Sequence, residues 1–575
     1  MKKRMKKVMA ILTVVSLSVS LFGCSGSGGK DGQPAELSDS ESREEGAADA
    51  AKEEGGKPEA LPGSDEMNGL TLPLTDKPEE LSILTVFNST MISDPNDIEG
   101  VKLMEERTGV HVNWTTAGNT EMIEKFSTVL ASGNLPDIIF GSGTNVYPGG
   151  VEKGIEEGVL LDMDELIREY MPNYMALLSQ NEAAMKGALS DDGKMHYLRS
   201  IYGSDTAVQT GSVGYGLAYR ADILEDMGLD VPTTIDGWHE VLQKCRDAGM
   251  SAPMTLESDG GSGLSMAWGV NTDWAASYWQ MDGEKIAYGP ALDGFGEYVE
   301  TMRQWYAEGL IDPNFTNGNM IISQDYTNIQ TNQTMLFAIW FGFMTGSWMN
   351  DTGAVDLPGI NIQAVGLPTL KEGDEPVKCT GDSPAFSELY ITTSCKDPVL
   401  AAKWLDYQYS REGSILNWYG IEGLTYTLDA DGIPQYTDLI LKNEDNLTPA
   451  QALQKYALNG GGGAEIGFRN FSAENKIAAA LSSTGTTPQI EASAIWDEPA
   501  KTIAIPGTMT MTSEEGEEVN RYMTDIKTLT QEYMVNYIMG IDNTPFEDFR
   551  QTLYDYGLQK VLDIYQAAYD RYQAR

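Results

Sequence analysis

Runs of apolar residues alternate with helical patterns along the first part of this chain's body. The pattern predicts strands at 81–87, 110–114 and 137–140 and helices at 97–107 and 121–131. Gly109 and Gly133 directly follow the two helical stretches, where a glycine commonly ends a helix. Three strands alternating with two helices predict a parallel sheet with helical crossovers. Ligands of such sheets bind beyond the carboxyl ends of the strands, so the loop at 141–144 is a candidate site.

The two patterns continue to the end of the chain. Further strands are expected at 215–219, 334–338, 360–365 and 388–392, and further helices at 220–227, 234–248, 292–308, 398–410, 513–538 and 545–571. Thr233 or Thr234 is placed to cap the second of these helices, and Asp397 followed by Pro398 marks the start of another. The whole pattern predicts an α/β fold with a second structural unit that begins near residue 214.

The first 23 residues have the layout of an export signal. Lysines and an arginine at 2–7 precede an apolar run at 8–23, which is shorter than the roughly 20 residues of a membrane span. The run ends in LFGC at 21–24, which resembles the lipobox of bacterial lipoproteins. That resemblance implies cleavage before Cys24 and lipidation of its thiol, with palmitate among the acyl groups. A plain secretory signal with an incidental cysteine is the alternative.

Residues 24–80 differ in composition from the rest of the chain. They are rich in Gly, Ser, Ala, Glu, Asp and Pro, and no Trp, Tyr or Phe occurs between 25 and 80. So little apolar surface cannot offset the entropy lost when a chain is ordered. We therefore expect a disordered acidic tether that holds a globular body at the outer face of the cell membrane, anchored there by the N-terminal lipid.

The charge of the chain narrows its possible partners. Lys and Arg number 39 against 85 Asp and Glu, which gives a formal net charge of −46. Such a surface repels phosphate backbones, so we expect no nucleic-acid partner. Three histidines and four cysteines are too few for a zinc-rich fold or a disulfide framework. Cys379 and Cys395 are candidates for one pair outside the cell, and the alternative is that they and Cys245 are reduced and buried.

Sequence motifs for catalysis are absent from the chain. It contains no Walker A, nucleophile-elbow, dinucleotide-binding, Cys-x-x-Cys or His-Glu-x-x-His motif. The segment DADG at 429–432 has part of a calcium loop but lacks the acid near the twelfth position, so we interpret it as a turn. The segment DDG at 191–193 is also interpreted as a turn. The sequence therefore predicts neither a cofactor nor a metal site.

Several short segments resemble the family-1 extracellular solute-binding proteins of ABC importers. The matching segments are EERTGV at 105–110, LASGNLPDII at 130–139, GKMHY at 193–197, YRADILEDMGL at 219–229, PTT at 232–234, NWYGIEGLTY at 417–426, DADG at 429–432 and YDRY at 569–572. Each segment is short, but their order and spacing extend over residues 81–575. The members that the chain resembles are large Gram-positive lipoproteins of the LplA type and alginate-oligosaccharide binders.

This resemblance implies a periplasmic-binding-protein-like fold of two α/β lobes, joined by a hinge that the chain crosses several times. Lobe one would comprise 81–205 and 358–408, and lobe two 206–357 and 409–575. A ligand would bind in the cleft, and the lobes would close around it. The implied partners of this monomer are an oligosaccharide and the transmembrane permease subunits of an ABC importer. Some alginate-binding relatives carry a structural calcium near the position of 191–193, which the residues here do not favour.

Carbohydrate binding also has a basis in the residues themselves. A pyranose ring presents C–H faces that stack on aromatic rings and hydroxyls that bond to planar polar side chains. Burying about 80 Å² of one face contributes roughly 2 kcal/mol. The candidate ligand contacts are Trp268, Trp274, Trp279, Trp340, Trp418, Tyr419, Glu422, Tyr426, Asn88, Thr90, Ser142, Thr144 and Arg469. The aromatic candidates form three clusters near glycines, all within the implied second lobe.

Each of these assignments has a plainer alternative. A tryptophan in a body of this size is more often a core residue, and we assign Trp305 and Trp404, which lie on apolar helical faces, to the core. Glu422 is equally able to cap a turn, and Arg469 to pair with a surface acid. An extracellular carbohydrate-active enzyme with two carboxylates about 5–10 Å apart is the alternative function. Presentation of a ligand to a sensor kinase, or binding of a non-sugar, is a weaker one.

Overall fold

The structure is a computed structural model, which describes the chain from residue 67 onward with internal gaps. The described residues are 67–118, 121–141, 147–148, 150–205, 208, 215–272, 278–317, 327–340, 360–379, 385–445, 447–460, 466–480 and 488–575. Cys24, the predicted signal and residues 25–66 of the predicted tether lie outside them. The prediction that the tether is disordered up to residue 80 is wrong, because Leu70, Leu72 and Leu74 pack against a hydrophobic core and the first strand begins at Glu79. Within these ranges no helix combines the length and apolar character needed to cross a membrane.

Strands and helices alternate along the described residues. The strands are β1 Glu79–Val86, β2 Val110–Ala117, β3 Ile138–Gly141, β4 Leu198–Gly203, β5 Tyr215–Arg220, β6 Trp279–Asp282, β7 Lys285–Tyr288, β8 Leu336–Trp340, β9 Ile362–Ala364, β10 Val377–Lys378, β11 Ala385–Ile391, β12 Tyr426–Leu428, β13 Pro434–Tyr436, β14 Phe468–Asn470 and β15 Lys501–Thr502. The first nine helices are α1 Glu99–Thr108, α2 Met122–Ser132, α3 Val151–Glu156, α4 Asp164–Tyr170, α5 Pro172–Leu178, α6 Glu182–Ala188, α7 Ala221–Asp226, α8 Ile235–Asp247 and α9 Asp293–Ala307. The later helices are α10 Pro398–Tyr407, α11 Arg411–Tyr419, α12 Asp438–Leu441, α13 Pro449–Leu453, α14 Phe471–Ala480, α15 Pro488–Trp496, α16 Ser513–Ile538, α17 Phe546–Asp555 and α18 Leu558–Ala574. Short 3-10 helices occur at Pro95–Asp97, Gly263–Trp268, Gly289–Ala291 and Phe315–Asn317.

Six strands form the larger sheet, in the order β14-β4-β11-β3-β1-β2. β1 is parallel to both β2 and β3, with Ile83 opposite Trp114 and Ile138, and β4 is parallel to β14. β11 lies between β3 and β4 and is antiparallel to both. The parallel pairing predicted for the first three strands is therefore confirmed. Because β11 is the one reversed strand in this order, β1, β2, β3, β4 and β14 all end at the same edge.

A first hydrophobic core surrounds this sheet. Ile83, Ile138 and Leu198 are fully buried and come from β1, β3 and β4, with Trp404 of α10 packed in the same cluster. Apolar residues run almost without interruption along these strands because helices cover both sheet faces. Trp404 is 0 % exposed, so its predicted place in the core is confirmed.

A second core is built on a smaller sheet of three strands, in the order β8-β5-β9, with β5 antiparallel to both neighbours. Trp238, Phe295 and Trp305 are buried there with residues of α16 and α18. Trp305 is 2 % exposed, which confirms the second predicted core tryptophan. Three further sheets have two strands each, β6 with β7, β10 with β15 and β12 with β13. The α/β fold class predicted from the sequence is confirmed.

Two segments pair with a different sheet from the one that the implied lobe ranges gave them. β14, at 468–470, hydrogen-bonds in the six-stranded sheet, although 409–575 was assigned to lobe two. β9, at 362–364, belongs to the three-stranded sheet, although 358–408 was assigned to lobe one. The chain thus passes between the two sheets at other points than those ranges imply, because hydrogen bonding and packing of distant segments set them.

The helix predicted at 545–571 is two helices. α17 ends at Asp555 and α18 begins at Leu558, and Gly557 between them has a φ of 99°. That backbone region is open to glycine at little cost and disfavours residues with a Cβ. The ring of Tyr522 packs directly on this glycine, and a Cβ there would lie 2.7 Å from Tyr522 Cδ1. The apolar pattern is uninterrupted across the break, so periodicity alone did not reveal it.

We expect Gly557→Ala to lower the free energy of unfolding by about 2 kcal/mol, because the new Cβ is strained by the left-handed backbone and meets the Tyr522 ring. Gly516→Ala is the matched control, since it lies inside α16 with no atom within 4 Å of its Cβ position. That control is expected to gain about 0.5–1 kcal/mol from helix propensity. Urea unfolding followed by circular dichroism measures both, and a neutral Gly557→Ala would contradict the expectation.

Candidate functional site

The edge at which the five parallel strands end is the first candidate site. Its described part, called the carboxyl edge below, comprises residues 87–90, 203–205 and 469–474. Neighbouring strands lie about 4.8 Å apart, so the edge of six strands is roughly 24 Å long. Ligands of open α/β sheets bind beyond the carboxyl ends of the strands, where loop residues converge. This edge is long enough for several rings of a chain-like ligand.

Two stacked rings lie beside the carboxyl edge at β4 and β14. Tyr202 is half-buried near the end of β4, and its ring stacks on Phe471 with centroids 4.9 Å apart and planes at 24°. The Arg469 guanidinium lies 5.5 Å from the Tyr202 centroid and 5.7 Å from that of Phe471. Arg469 Nε donates to Glu474 Oε1 at 2.9 Å. The result is an aromatic surface flanked by an ion pair, a combination that suits stacking of an apolar ring face.

A buried carboxylate fixes the chain where it leaves the larger sheet. Asp205 follows β4, and its side chain is only 7 % exposed. It accepts hydrogen bonds from Asn470 Nδ2 at 2.8 Å, Lys476 Nζ at 2.8 Å and the Tyr419 hydroxyl at 3.0 Å. Burial and the nearby Asp205 charge raise the pKa of Tyr419 far above its ordinary value, so the phenol remains a donor. Asp205 therefore holds the last residues of β4 to α11, β14 and α14.

β11 begins at the same edge with an irregular backbone. Its register with β4 shifts, and Ser387 has a φ of 51°, which is uncommon for a residue other than glycine. Glu388 Oε1 lies 4.0 Å from Arg199 Nη1, and Arg199 Nη2 donates to the Tyr197 hydroxyl at 2.6 Å. Burial raises the pKa of Glu388, and the Arg199 charge offsets part of the rise. A charged pair thus lies under the strand ends.

A second group of buried acids follows a segment that pairs with β8. Met254 forms a parallel bridge to β8, and Glu257 and Asp259, which come next, are each 8 % exposed. Asp259 accepts hydrogen bonds from the Tyr278 hydroxyl at 2.7 Å and the Gly261 N–H at 3.0 Å. Tyr278 itself has a φ of 64°, which is rare for a bulky residue. Carboxylates therefore lie beyond a strand end of the smaller sheet as well.

The predicted polar contacts divide between described and undescribed residues. Asn88 lies exposed at the carboxyl edge, and Thr90 lies beside it with its N–H and hydroxyl 3.1 Å and 3.4 Å from Gln454 Oε1. Arg469, assigned from sequence to the other lobe, ends up near the same edge. Ser142 and Thr144 lie outside the described residues.

Three of the predicted aromatic contacts are buried in cores. Trp279 is 2 % exposed and stacks on Tyr565 at 3.9 Å. Trp418 is 4 % exposed, and its Nε1 donates to the Phe468 carbonyl at 2.7 Å. Trp418 and Tyr419 form the last turn of α11 and not a loop, which turns both rings inward. We do not retain these three among the proposed ligand contacts, because no ring face is left open.

Of the remaining predicted contacts, Tyr426 is buried in the same cluster as Trp418 and Tyr419, and the others are more exposed or lie outside the described residues. Trp268 is half-buried at the end of the 3-10 helix Gly263–Trp268. Glu422 is exposed, and Tyr426 is 7 % exposed in β12. Trp274 lies outside the described residues, and of Trp340 only the backbone, within β8, is described.

The residues considered for calcium do not fit that ion. The Asp191 carboxylate is taken by Arg571 Nε and Arg575 Nη2, each at 2.5 Å. Asp429 accepts from the backbone N–H groups of Asp431 and Ile433, which confirms the predicted turn. In the described ranges no three or more His, Cys, Asp or Glu side chains gather in a way that suits a metal. We therefore assign no role to calcium.

None of the three cysteines that the structure describes forms a disulfide. Cys245 and Cys395 are buried and Cys379 is partly exposed, so the considered Cys379–Cys395 bond is not formed. Burial raises the pKa of Cys245 to about 11 and that of Cys395 to about 12. Both are therefore protonated and unreactive at neutral pH.

Sequence reasoning missed Tyr202, Phe471 and Asp205. The segment LRSIYG at 198–203 is apolar enough to be identified as a strand, and the following Ser-Asp would then mark a strand end. Phe471 had no comparable signal, because its contact with Tyr202 joins residues far apart in the chain.

Comparisons with known proteins agree on one family. Residues 96–415 match the family model for bacterial extracellular solute-binding proteins. The fructooligosaccharide ABC transporter substrate-binding protein FusA of Streptococcus pneumoniae serotype 4 is 25 % identical over 535 residues, which cover 88 % of this chain and 93 % of FusA. Lipoprotein LipO of Bacillus subtilis strain 168 is 23 % identical over 228 residues, which cover 37 % of this chain and 41 % of LipO.

A solved structure supports the same fold. The crystal structure of the alginate-binding protein AlgQ2 without calcium ion matches this chain with a TM-score of 0.63 at 22 % sequence identity. The match covers 86 % of this chain and 99 % of AlgQ2. The periplasmic-binding-protein-like architecture implied by the sequence segments is thereby confirmed.

Proposed function

The chain belongs to the bacterial extracellular solute-binding protein family, and from this premise we propose that it binds an oligosaccharide between two lobes and delivers it to the permease subunits of an ABC importer. The family places its work outside the cytoplasm. Its relatives are binding proteins, so the alternative of an extracellular carbohydrate-active enzyme is not retained.

The observation that carries the proposal is the composition of the carboxyl edge. The half-buried Tyr202 ring supplies an aromatic surface, and Asn88, Thr90 and the Arg469–Glu474 pair supply polar groups for hydroxyls. Trp268, Glu422 and Tyr426 remain proposed contacts of lobe two, together with Trp274, Trp340, Ser142 and Thr144. FusA, whose name specifies fructooligosaccharides, is similar to this chain over most of its length.

We also propose that Cys24 carries the lipid that anchors the protein to the outer face of the membrane. The basic start, the apolar run and LFGC at 21–24 support this, and the similarity to Lipoprotein LipO agrees with it. A tether from residue 25 to about residue 66 would let the body reach a permease in the same membrane.

A ligand screen tests the proposed function. Purified protein is mixed with oligosaccharides and its thermal unfolding is followed, because a ligand at 100 times its Kd stabilises the folded state by about 2.7 kcal/mol. Mass spectrometry of the recovered ligand then separates binding from hydrolysis. An intact ligand with a raised Tm supports the proposal, and a shortened one supports an enzyme. Stabilisation by no carbohydrate would contradict it.

We expect Tyr202→Ala to weaken oligosaccharide binding by at least about tenfold, because stacking of one sugar face is worth roughly 2 kcal/mol. Tyr202→Phe keeps the ring and is expected to stay within about threefold of the wild type. Tyr556→Ala removes a tyrosine that is 46 % exposed outside the carboxyl edge and serves as a control. Isothermal titration calorimetry measures all three, and equal affinity for Tyr202→Ala would remove this ring from the site.

A further inference from the structure

We infer that the ligand of this protein is an uncharged oligosaccharide, without uronate, sialate, sulfate or phosphate groups. The inference rests on the proposed function and specifies the class of carbohydrate. The comparisons leave this class open, because FusA is named for fructooligosaccharides and AlgQ2 for the polyuronate alginate. The positions of the lysines and arginines of this chain favour a neutral ligand over an anionic one.

Apart from β14 and α14, which carry Arg469 and Lys476, the segments proposed to line the cleft contain no cationic side chain. No Lys, Arg or His occurs at 78–101, 126–152, 200–219, 247–284, 304–370 or 412–441. These stretches hold the residues that follow β1 and β3, those between β4 and β5, and all three aromatic clusters. The internal residues that the structure does not describe likewise include no Lys, Arg or His. From residue 67 onward, any cation that meets a ligand must therefore come from the described residues.

Two of the cations near the carboxyl edge have acidic partners, and a third, Arg411, donates to the Gly432 carbonyl at 3.1 Å. Arg469 is bonded to Glu474 at 2.9 Å, and Lys476 Nζ is bonded to Asp205 at 2.8 Å. Lys476 Nζ also donates to the Pro434 carbonyl at 2.6 Å. The charges of Arg469 and Lys476 are thus balanced inside the protein before a ligand arrives.

Arg199, a fourth cation near this edge, is surrounded by protein groups. Its guanidinium is flanked by Glu388, and it donates to the Gly187 carbonyl at 3.1 Å and the Tyr197 hydroxyl at 2.6 Å. Its side chain is 11 % exposed. Recruiting it for a ligand carboxylate would strip Glu388 of its counter-charge inside the fold, which is unfavourable.

Carboxylates, in contrast, are present in the same segments. Glu257 and Asp259 are each 8 % exposed beyond the strand-like segment at Met254. Asp273 precedes the predicted contact Trp274, and Glu422 is one of the predicted contacts itself. A sugar hydroxyl donates readily to such oxygens, whereas an anionic ligand would lose its hydration and meet like charge. The site thus favours hydroxyl-rich, neutral guests.

The test uses a mixed pool of neutral, acidic and amino oligosaccharides released from plant and animal glycans. The full chain is incubated with the pool, unbound glycans are washed away, and the retained ones are separated by charge and identified by mass spectrometry. We expect only uncharged glycans to be retained. We also expect their affinity to be unchanged between about 20 mM and about 500 mM NaCl, because no ligand charge is there to be screened.

The affinities of one retained glycan and of its oxidised form can be compared directly. Oxidising the primary hydroxyls of the retained glycan to carboxylates keeps its length and linkage and adds charge. We expect the oxidised form to bind at least about tenfold more weakly. Retention of uronic, sialylated, sulfated or amine-bearing glycans, or equal or tighter binding of the oxidised form, would overturn the inference and leave the proposed function standing. If no glycan of any charge is retained, the proposed function fails and the inference fails with it.

Discussion

Asp406→Ala is expected to lower the free energy of unfolding by about 4 kcal/mol. Asp406 lies on α10 and is fully buried. Its carboxylate accepts from Asn173 Nδ2 at 2.6 Å, the Asn173 N–H at 3.2 Å and the Tyr174 N–H at 2.9 Å, and so caps the amino end of α5. Alanine leaves these buried donors without that acceptor, and each unsatisfied buried donor costs about 1–3 kcal/mol. Urea unfolding monitored by tryptophan fluorescence measures the loss.

Asp406→Asn is the control that separates charge from hydrogen bonding. It keeps one acceptor oxygen, so we expect it to lose only about 1–2 kcal/mol at neutral pH. A loss as large as that of alanine would show that the charge, and not the capping bond, matters at this position.

The same pair of proteins should reveal a dependence on pH. Burial raises the pKa of Asp406 from 3.8 to about 6, and the bonds from Tyr174 and Asn173 offset part of the rise. The folded state therefore holds this proton more tightly than the unfolded state, and this group's contribution is lost as pH rises through about 6. Relative to Asp406→Asn, the wild type should gain about 2 kcal/mol between pH 7 and pH 4. A constant difference across this range would contradict the buried charge that the geometry describes.

Local patterns were enough to predict most of the framework. Thr234 and Asp397 cap α8 and α10 through their side chains as their sequence positions indicate, and Pro398 begins α10. The predicted 513–538 helix coincides with α16. These features depend on residues that are close together in the sequence, so local sequence patterns predict them well.

The site was less predictable because it depends on distant contacts. The sequence predicted a glycine-rich loop around Trp418. Trp418 and Tyr419 instead form the last turn of α11, and Trp418 is bonded to Phe468 of β14, which lies 50 residues later in the chain. Tyr202 becomes a candidate only when Phe471 stacks on it. The sequence shows how many aromatic residues the chain has. Which of their rings are accessible to a ligand depends on how distant strands pair.

The positions of charged side chains became informative about the ligand once the fold was known. The sequence left open whether Arg469 could receive an anionic ligand. In the structure Arg469 is bonded to Glu474, and the internal segments that the structure does not describe contain no Lys, Arg or His.

Asp191→Ala is expected to lower the free energy of unfolding by about 3 kcal/mol and to reduce the cooperativity of unfolding. Asp191 lies in the turn between α6 and β4, beside the first core, while Arg571 and Arg575 lie at the end of the chain, where α18 packs in the second core. The carboxylate bonds to both guanidinium groups and accepts from the Thr510 hydroxyl at 3.0 Å. The Arg575 side chain is only 1 % exposed, so removing its acidic partner leaves a buried charge.

The neighbouring residue supplies the control. Asp192 is 50 % exposed and contacts His196 within the same turn, so Asp192→Ala is expected to cost less than about 1 kcal/mol. Circular dichroism and tryptophan fluorescence should give one urea transition for the wild type and for Asp192→Ala, and separated midpoints for Asp191→Ala.

Acid gives an independent test of the same contact. Burial would raise the pKa of Asp191, but hydrogen bonds from Arg575 and Arg571 outweigh it and lower the pKa. A lowered carboxyl pKa means that the contact stabilises the fold above the unfolded value of about 3.8 and is lost as pH falls through the folded value. The wild type should therefore approach Asp191→Ala in stability below about pH 3.8, whereas its difference from Asp192→Ala should stay small. Coincident transitions and an unchanged gap at low pH would mean that the apolar packing of the two cores alone makes them unfold as one unit.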